Sequence, residues 1–226
     1  MRRFYSFFFL LFFIPNLVWG AHLGKDACKE RRDMARNELA QMEKLIAQID
    51  AYSDPKNPKI EGLFNEAIFH CDKAYGLYND IVHAIRDRQD KTGLVSDWHP
   101  SMTQKCQNDS ADTLSKLRSL RKRESAFLRQ KSLERQDLAE RKKQNLSYKL
   151  KDAHTLSLDL DEISHLYEEA ANFSKTARDL LKDIADEKSK NILKDERQTF
   201  LDQASQYKDV IAITKRNSQG KPIFRK

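Results

Sequence analysis

From Ser101 to Gln219 the chain contains neither glycine nor proline. These are the residues that stop helices and make tight turns, so more than half of the chain lacks the punctuation that a sheet of short strands needs. Most of this stretch is Ala, Leu, Glu, Lys, Arg, Gln, Asp and Ser. Helix is the state such a composition favours. The fold expected is all-α: an elongated antiparallel bundle built from helical hairpins, with about five helices and a coiled-coil-like third helix.

The helices are expected over residues 25–51, 60–90, 110–151, 159–190 and 195–215. That makes one helical domain over 21–219, with hairpins at 25–90 and 110–190, a fifth helix, and a loose basic tail at 220–226. Ser53-Asp-Pro-Lys-Asn-Pro58 is a firm turn, and Thr92 to Gln104, with Gly93 and Pro100, is the longest irregular piece. Asp109 or Ser110 is placed to cap the third helix. Asp159, with Glu162 three residues on, has capping-box spacing for the fourth.

The second and fourth helices have the clearest apolar stripes. Phe64, Ala67, Ile68, Cys71, Ala74, Tyr75, Tyr78, Ile81, Val82 and Ile85 recur at steps of three and four, as do Leu160, Ile163, Leu166, Tyr167, Ala170, Ala177, Leu180, Leu181 and Ile184. Residues 60–81 also align without gaps to 163–184, with 8 of 22 positions identical, including Ile60/Ile163, Ala67/Ala170, Ala74/Ala177 and Ile81/Ile184. An internal duplication explains such a shared seam, in which small residues let helices approach closely. The third helix differs. From Arg129 to Asn145 its apolar residues are Leu133, Leu138 and Ala139, which share no wide face, so burial is expected only along a narrow seam.

The first twenty residues, MRRFYSFFFLLFFIPNLVWG, have a basic start, an apolar centre and a small residue at the end. This is the layout of a secretory signal peptide, with a mature chain beginning at Ala21. Pro15 and Asn16 interrupt the apolar run, which disfavours the alternative of an uncleaved membrane anchor. The protein is therefore expected to be exported, to a periplasm or out of the cell.

Export changes the reading of charge. The whole chain carries +7, from 41 basic and 34 acidic residues; loss of Arg2 and Arg3 with the leader reduces this to +5. The basic excess concentrates in residues 114–151, and the next segment, 152–189, is acidic. Neighbouring helices of opposite sign suit an antiparallel pair. Arg118, Arg121, Lys122, Arg123, Arg129 and Lys131 are the candidate contacts for a protein partner or an anionic membrane or envelope surface. A membrane-lying helix would show a broader apolar face than Phe127 and Leu128 supply. Nucleic acid is disfavoured, because aromatic residues between the charges are scarce and export removes the usual ligand.

An oxidising compartment lets disulfides persist. The mature chain has Cys28, Cys71 and Cys106, an odd number. A hairpin of the first two helices brings residue 28 opposite the region from which the loop to Cys106 departs, whereas Cys71 lies mid-helix on the apolar stripe. The expected bond is Cys28–Cys106, worth about 4–5 kcal/mol by loop-closure entropy.

Signs of catalysis are scarce. Glu162-Ile-Ser-His165 has the spacing of di-iron carboxylate bundles, but Gly62 stands opposite His165 in the repeat, and the second half of such a site is missing. His70 and Cys71 are adjacent on a helix and point about 100° apart, so they do not face each other. No phosphate loop, paired-cysteine zinc spacing or nucleophile elbow occurs. No catalytic residue, metal ligand or cofactor is assigned. The expected role is that of a non-enzymatic binding module, scaffold or chaperone-like factor, with peripheral binding to an anionic surface as the alternative.

Overall fold

The computed structural model describes residues 25–52, 57–92, 100–146 and 152–218. Those residues form five helices and no strand: α1 Lys25–Ala51, α2 Lys59–Thr92, α3 Pro100–Gln144, α4 Ala153–Leu180 and α5 Glu187–Ser218. The expected leader at 1–20 and the tail at 220–226 lie outside the described residues. By its contacts the chain divides into two compact units, Met1–Leu120 and Arg121–Lys226. The first contains α1, α2 and the start of α3; the second contains the rest of α3, α4 and α5.

Helix boundaries follow local chemistry. Asn57 accepts a hydrogen bond from the Lys59 backbone N–H at 3.0 Å through its side-chain oxygen, which supports the first turn of α2. Helix α3 starts at Pro100, ten residues earlier than expected. Proline suits a helix start because its missing N–H would have no partner there in any case. Asp109 consequently lies inside α3 rather than capping it, and it reaches Arg32 of α1 at 3.5 Å. Helix α4 is capped by Asp152, which accepts from the backbone N–H groups of His154 and Thr155, both at 2.9 Å. The expected cap, Asp159, is a residue of the second turn. The carboxylate of Asp186 then accepts from Ser189 N at 3.2 Å and opens α5.

In the first unit α1 and α2 run antiparallel: Arg31 pairs with Asp80, and further along α1 Glu38 meets His70 and Lys73. One core cluster joins Cys28, Ala35, Ala74, Tyr78, Ile81, Val82, Ile85 and Cys106; a second joins Met42, Ala67, Cys71, Leu117 and Leu120. Low numbers of α1 thus meet high numbers of α2 and low numbers of α3, so α3 runs parallel to α1 and antiparallel to α2. In the second unit a short turn at 181–186, inside the stretch expected to be helical to 190, ends α4 at Leu180, lets α5 begin at Glu187 rather than 195, and makes the two helices antiparallel neighbours. Its cluster holds Ala139, Leu160, Ile163, Tyr167, Ala170, Phe200, Ala204 and Tyr207.

The aligned segments of α2 and α4 bury the same positions. Ile60, Phe64, Ala67, Cys71, Ala74, Tyr78 and Ile81 are all buried, and so are Ile163, Tyr167, Ala170, Ser174 and Ala177 of α4, with Leu181 and Ile184 buried in the turn that follows it. Their alternating steps of four and three are the heptad spacing of coiled-coil seams. The third helix of each unit repeats a further spacing, with Cys106, Thr113, Leu117 and Leu120 buried in one and Leu193, Phe200, Ala204 and Tyr207 in the other.

The narrow seam expected for the basic helix is present, and small residues make it. Ser132 and Ala139 are fully buried, while Leu133 and Leu138 remain exposed. Ser132 Oγ donates to the Ala170 carbonyl at 2.7 Å and lies 2.8 Å from Ser174 Oγ. Its polarity is therefore satisfied inside the core.

Candidate interaction surface

The basic stretch is largely engaged within its own unit. Arg121 lies 3.7 Å from Asp183, and Lys122 3.9 Å from Asp186, both carboxylates belonging to the turn between α4 and α5. Arg129 holds Glu196 of α5 through Nε at 3.0 Å and Nη2 at 2.6 Å from Oε1. The Glu196 hydrogen bond keeps the Arg129 guanidinium proton bound still more firmly than usual. Lys131 sits over the rings of Phe127 and Phe173, 5.0 and 5.4 Å from their centroids, in cation–π contact. Arg118 points to solvent, and Arg123 is half-buried. The acidic neighbour that charge patterning called for is thus found on α4, where Glu169 meets Arg135 at 2.9 Å and Glu162 meets Lys142, and around the α4–α5 turn, with Glu196 of α5 added beyond the expected segment.

A cavity of about 150 Å³ lies among Lys122, Ser125, Arg129, Asp186, Ser189 and Leu193. Its cations already face Asp186 and Glu196. A second, near the end of α3, is about 250 Å³ and is lined by Lys142, Asn145, Asp159 and Glu162 among others. Lys142 pairs with Glu162 there at 2.7 Å. Beside it, Tyr167 donates to Glu140 and stacks on Tyr207 at 5.9 Å. Burial, reinforced by the Glu140 carboxylate, pushes the Tyr167 phenol well above its usual range. A tyrosine held protonated in this way is a structural donor rather than an acid at neutral pH.

In the first unit, Glu38 of α1 gathers two donors from α2: His70 Nδ1 at 2.6 Å and Lys73 Nζ at 2.5 Å. Burial raises the carboxyl's affinity for a proton, but the hydrogen bonds from Lys73 and His70 outweigh it and hold Glu38 below its ordinary value. Next to His70 stands Phe69, 63 % exposed, with its ring edge-on to the imidazole at 5.6 Å. Gly62 and Gly76 lie seven residues to either side of Phe69 in the same helix. A methyl group added at either glycine would meet nothing within 4 Å. The heptad step places all three on one outward face, an aromatic ring between two positions stripped to backbone.

Phe69 belongs to none of the motifs or apolar stripes of the sequence. The signal was present in the register: position 69 falls outside the 60, 64, 67, 71, 74, 78, 81 seam, where a large aromatic has no core to enter. The counterpart of Phe69 in α4 is Asn172, an ordinary exposed polar residue.

Other chemistry is sparse. Cys71 is buried and its thiol donates toward the Thr113 carbonyl at 3.6 Å, while His70 is turned to Glu38. Glu162 is taken by Lys142, and His165 faces Glu169 at 3.6 Å instead of Glu162. Among the described residues no group of three or more His, Cys, Asp or Glu is arranged to hold a metal ion, and no helix is long and apolar enough to cross a membrane. Comparison with protein-family models, with curated proteins and with solved structures returns no match.

Proposed function

We propose that this chain is an exported, non-enzymatic helical module that binds a partner protein, as a scaffold or chaperone-like factor, through the outward face of α2 centred on Phe69. The observation that carries this reading is the ring itself: a large aromatic, more than half exposed, in the middle of a well-packed helix, flanked at heptad distance by two exposed glycines. Glycine inside a helix costs about 0.5–1 kcal/mol relative to alanine. Two such positions on one outer face are explained by a partner helix that approaches the backbone closely, with Phe69 as its anchor. Export rests on the leader-like residues 1–20.

The basic helix, the other candidate, supports this reading less well. Arg121, Lys122 and Arg129 face carboxylates of their own unit, so an anionic membrane or envelope surface would have to compete with Asp183, Asp186 and Glu196.

The test is a photo-crosslinking amino acid at position 69 of the mature chain in its native envelope and secreted fractions, with the same group at Asn172 as control. A defined protein adduct is expected at 69 and not at 172. It should persist in about 0.5 M salt, where contacts made only by surface charge are screened, and be displaced by unlabelled wild-type chain but not by a Phe69→Asp chain. Identical adducts at both positions, or none at 69, would overturn the proposal.

A further inference from the structure

We propose that Cys28 and Cys106 are joined by an intrachain disulfide that ties the first turn of α1 to the second turn of α3, while Cys71 remains a thiol. The inference rests on register. Arg32 and Asp109, in contact at 3.5 Å, set the alignment of the two parallel helices. One turn back from Arg32, Cys28 then stands level with residue 105, beside Cys106. Both stand as thiols in the structure, and both belong to one core cluster, with exposures of only 3 % and 1 %.

Cys71 is out of reach of both. It lies opposite Thr113, which is seven residues along α3 from Cys106. At about 1.5 Å per residue that is about 10 Å along the axis, whereas bridged cysteines have Cα atoms about 4.4–6.8 Å apart. On the antiparallel α2, the Arg31–Asp80 pair places Cys28 near residue 83, further still from Cys71. Cys71 also sits in the other cluster, with Met42, Ala67, Leu117 and Leu120.

The chemistry needs a disulfide oxidant of the kind present in oxidising compartments. One cysteine attacks the oxidant's disulfide as a thiolate, forming a mixed disulfide and releasing one thiol. The second cysteine then attacks the mixed disulfide and releases the other. Two electrons and the two protons of the cysteine thiols end on the oxidant, which leaves as two thiols. Burial pushes the Cys106 thiol up, away from the reactive thiolate. The bond therefore forms while α1 and α3 are docking, and once the core closes it resists reduction. In the second unit Leu193 takes the place of Cys106 in the shared buried spacing, so the covalent tie belongs to the first unit alone.

The experiment is peptide mapping of the full chain, secreted through an oxidising compartment, purified without reductant, alkylated in denaturant and digested with trypsin. Peptide 26–29 linked to peptide 106–116 is expected, with peptide 60–73 alkylated at Cys71. The linked species should disappear on reduction and persist unchanged in Cys71→Ser. A bond that includes Cys71, a bond between copies, or alkylation of both Cys28 and Cys106 would overturn the proposal. The same chain refolded in glutathione disulfide separates the two ways to fail. Linkage there but not after secretion overturns the oxidising route, and alkylated thiols in both overturn the geometry. None of these outcomes bears on the Phe69 face.

Discussion

Arg129 of α3 and Glu196 of α5 form a two-pronged pair, with Nε 3.0 Å from Oε1 and 3.1 Å from Oε2 and Nη2 2.6 Å from Oε1. The planar guanidinium matches a carboxylate in a way that an ammonium cannot. Arg129 is 43 % exposed, so solvent screens much of the attraction, and the pair is expected to contribute only about 0.5–1 kcal/mol. Arg129→Gln and Glu196→Gln should each lower stability by about that amount, and the double variant by less than their sum. Urea unfolding of the four chains at low and high salt checks this. Additive losses would mean that the pair contributes nothing as a pair.

Glu38 makes the first unit sensitive to acid. Its carboxyl titrates below its ordinary value of 4.5 in the folded chain, because the hydrogen bonds from Lys73 and His70 overcome the opposing effect of burial. Between the folded and unfolded values the unfolded chain binds more protons, so stability rises with pH across that window. The contribution is complete above the unfolded value and is lost as pH falls through the folded one. Glu38→Gln should therefore be less stable than wild type at neutral pH, and the gap should narrow at about pH 3. Urea midpoints measured at both pH values decide it. A gap of constant size would show that the charge of Glu38 is not what matters.

Much of this architecture is legible in the sequence, and the illegible parts have physical reasons. The seam of α2 and α4 can be read because apolar residues at steps of three and four line one face of a helix, and the first helix falls where it is expected. The start of α3 was obscured by Pro100, which reads as a loop residue and serves as a helix start. Asp152 caps α4 although Asp159 has the better spacing, because a cap must accept from N–H groups that have no partner in the helix, and the helix already exists at 159. For the basic stretch, sequence supplies the charge but not the partner. That Arg129 meets Glu196, sixty-seven residues away, depends on how three helices pack. Phe69 is harder to read, because an outward aromatic shows only as an exception to the seam and forms no pattern of its own.

Gly62 and Gly76 offer a test in the stabilising direction. Each sits inside α2 with open space where a methyl group would go. Replacement by alanine removes conformational freedom from the unfolded chain without meeting anything in the folded one. Gly62→Ala and Gly76→Ala should each raise stability by about 0.5–1 kcal/mol, seen as a higher urea midpoint. If the Phe69 face holds a partner helix close to the backbone, the same substitutions should weaken the crosslinked complex while they strengthen the fold. Stabilisation without any loss of adduct would mean that the glycines do not serve the interface.

The small-residue seam of the second unit should be intolerant in the opposite sense. Ser132 approaches α4 closely enough for its hydroxyl to reach the Ala170 carbonyl at 2.7 Å, which requires a small side chain on each helix. Ser132→Ala removes that hydrogen bond and should cost about 1 kcal/mol. Ala170→Leu forces extra carbons into a fully buried position and should cost about 1–3 kcal/mol, by pushing the helices apart or their neighbours off rotamer. Asn172→Leu, two residues on and facing solvent, adds a similar apolar side chain with no core to displace, and should stay within about 0.5 kcal/mol of wild type. Urea unfolding of the three variants separates position from composition. A harmless Ala170→Leu would mean that α3 and α4 have room between them, and that close approach is not what the repeated alanines of this seam provide.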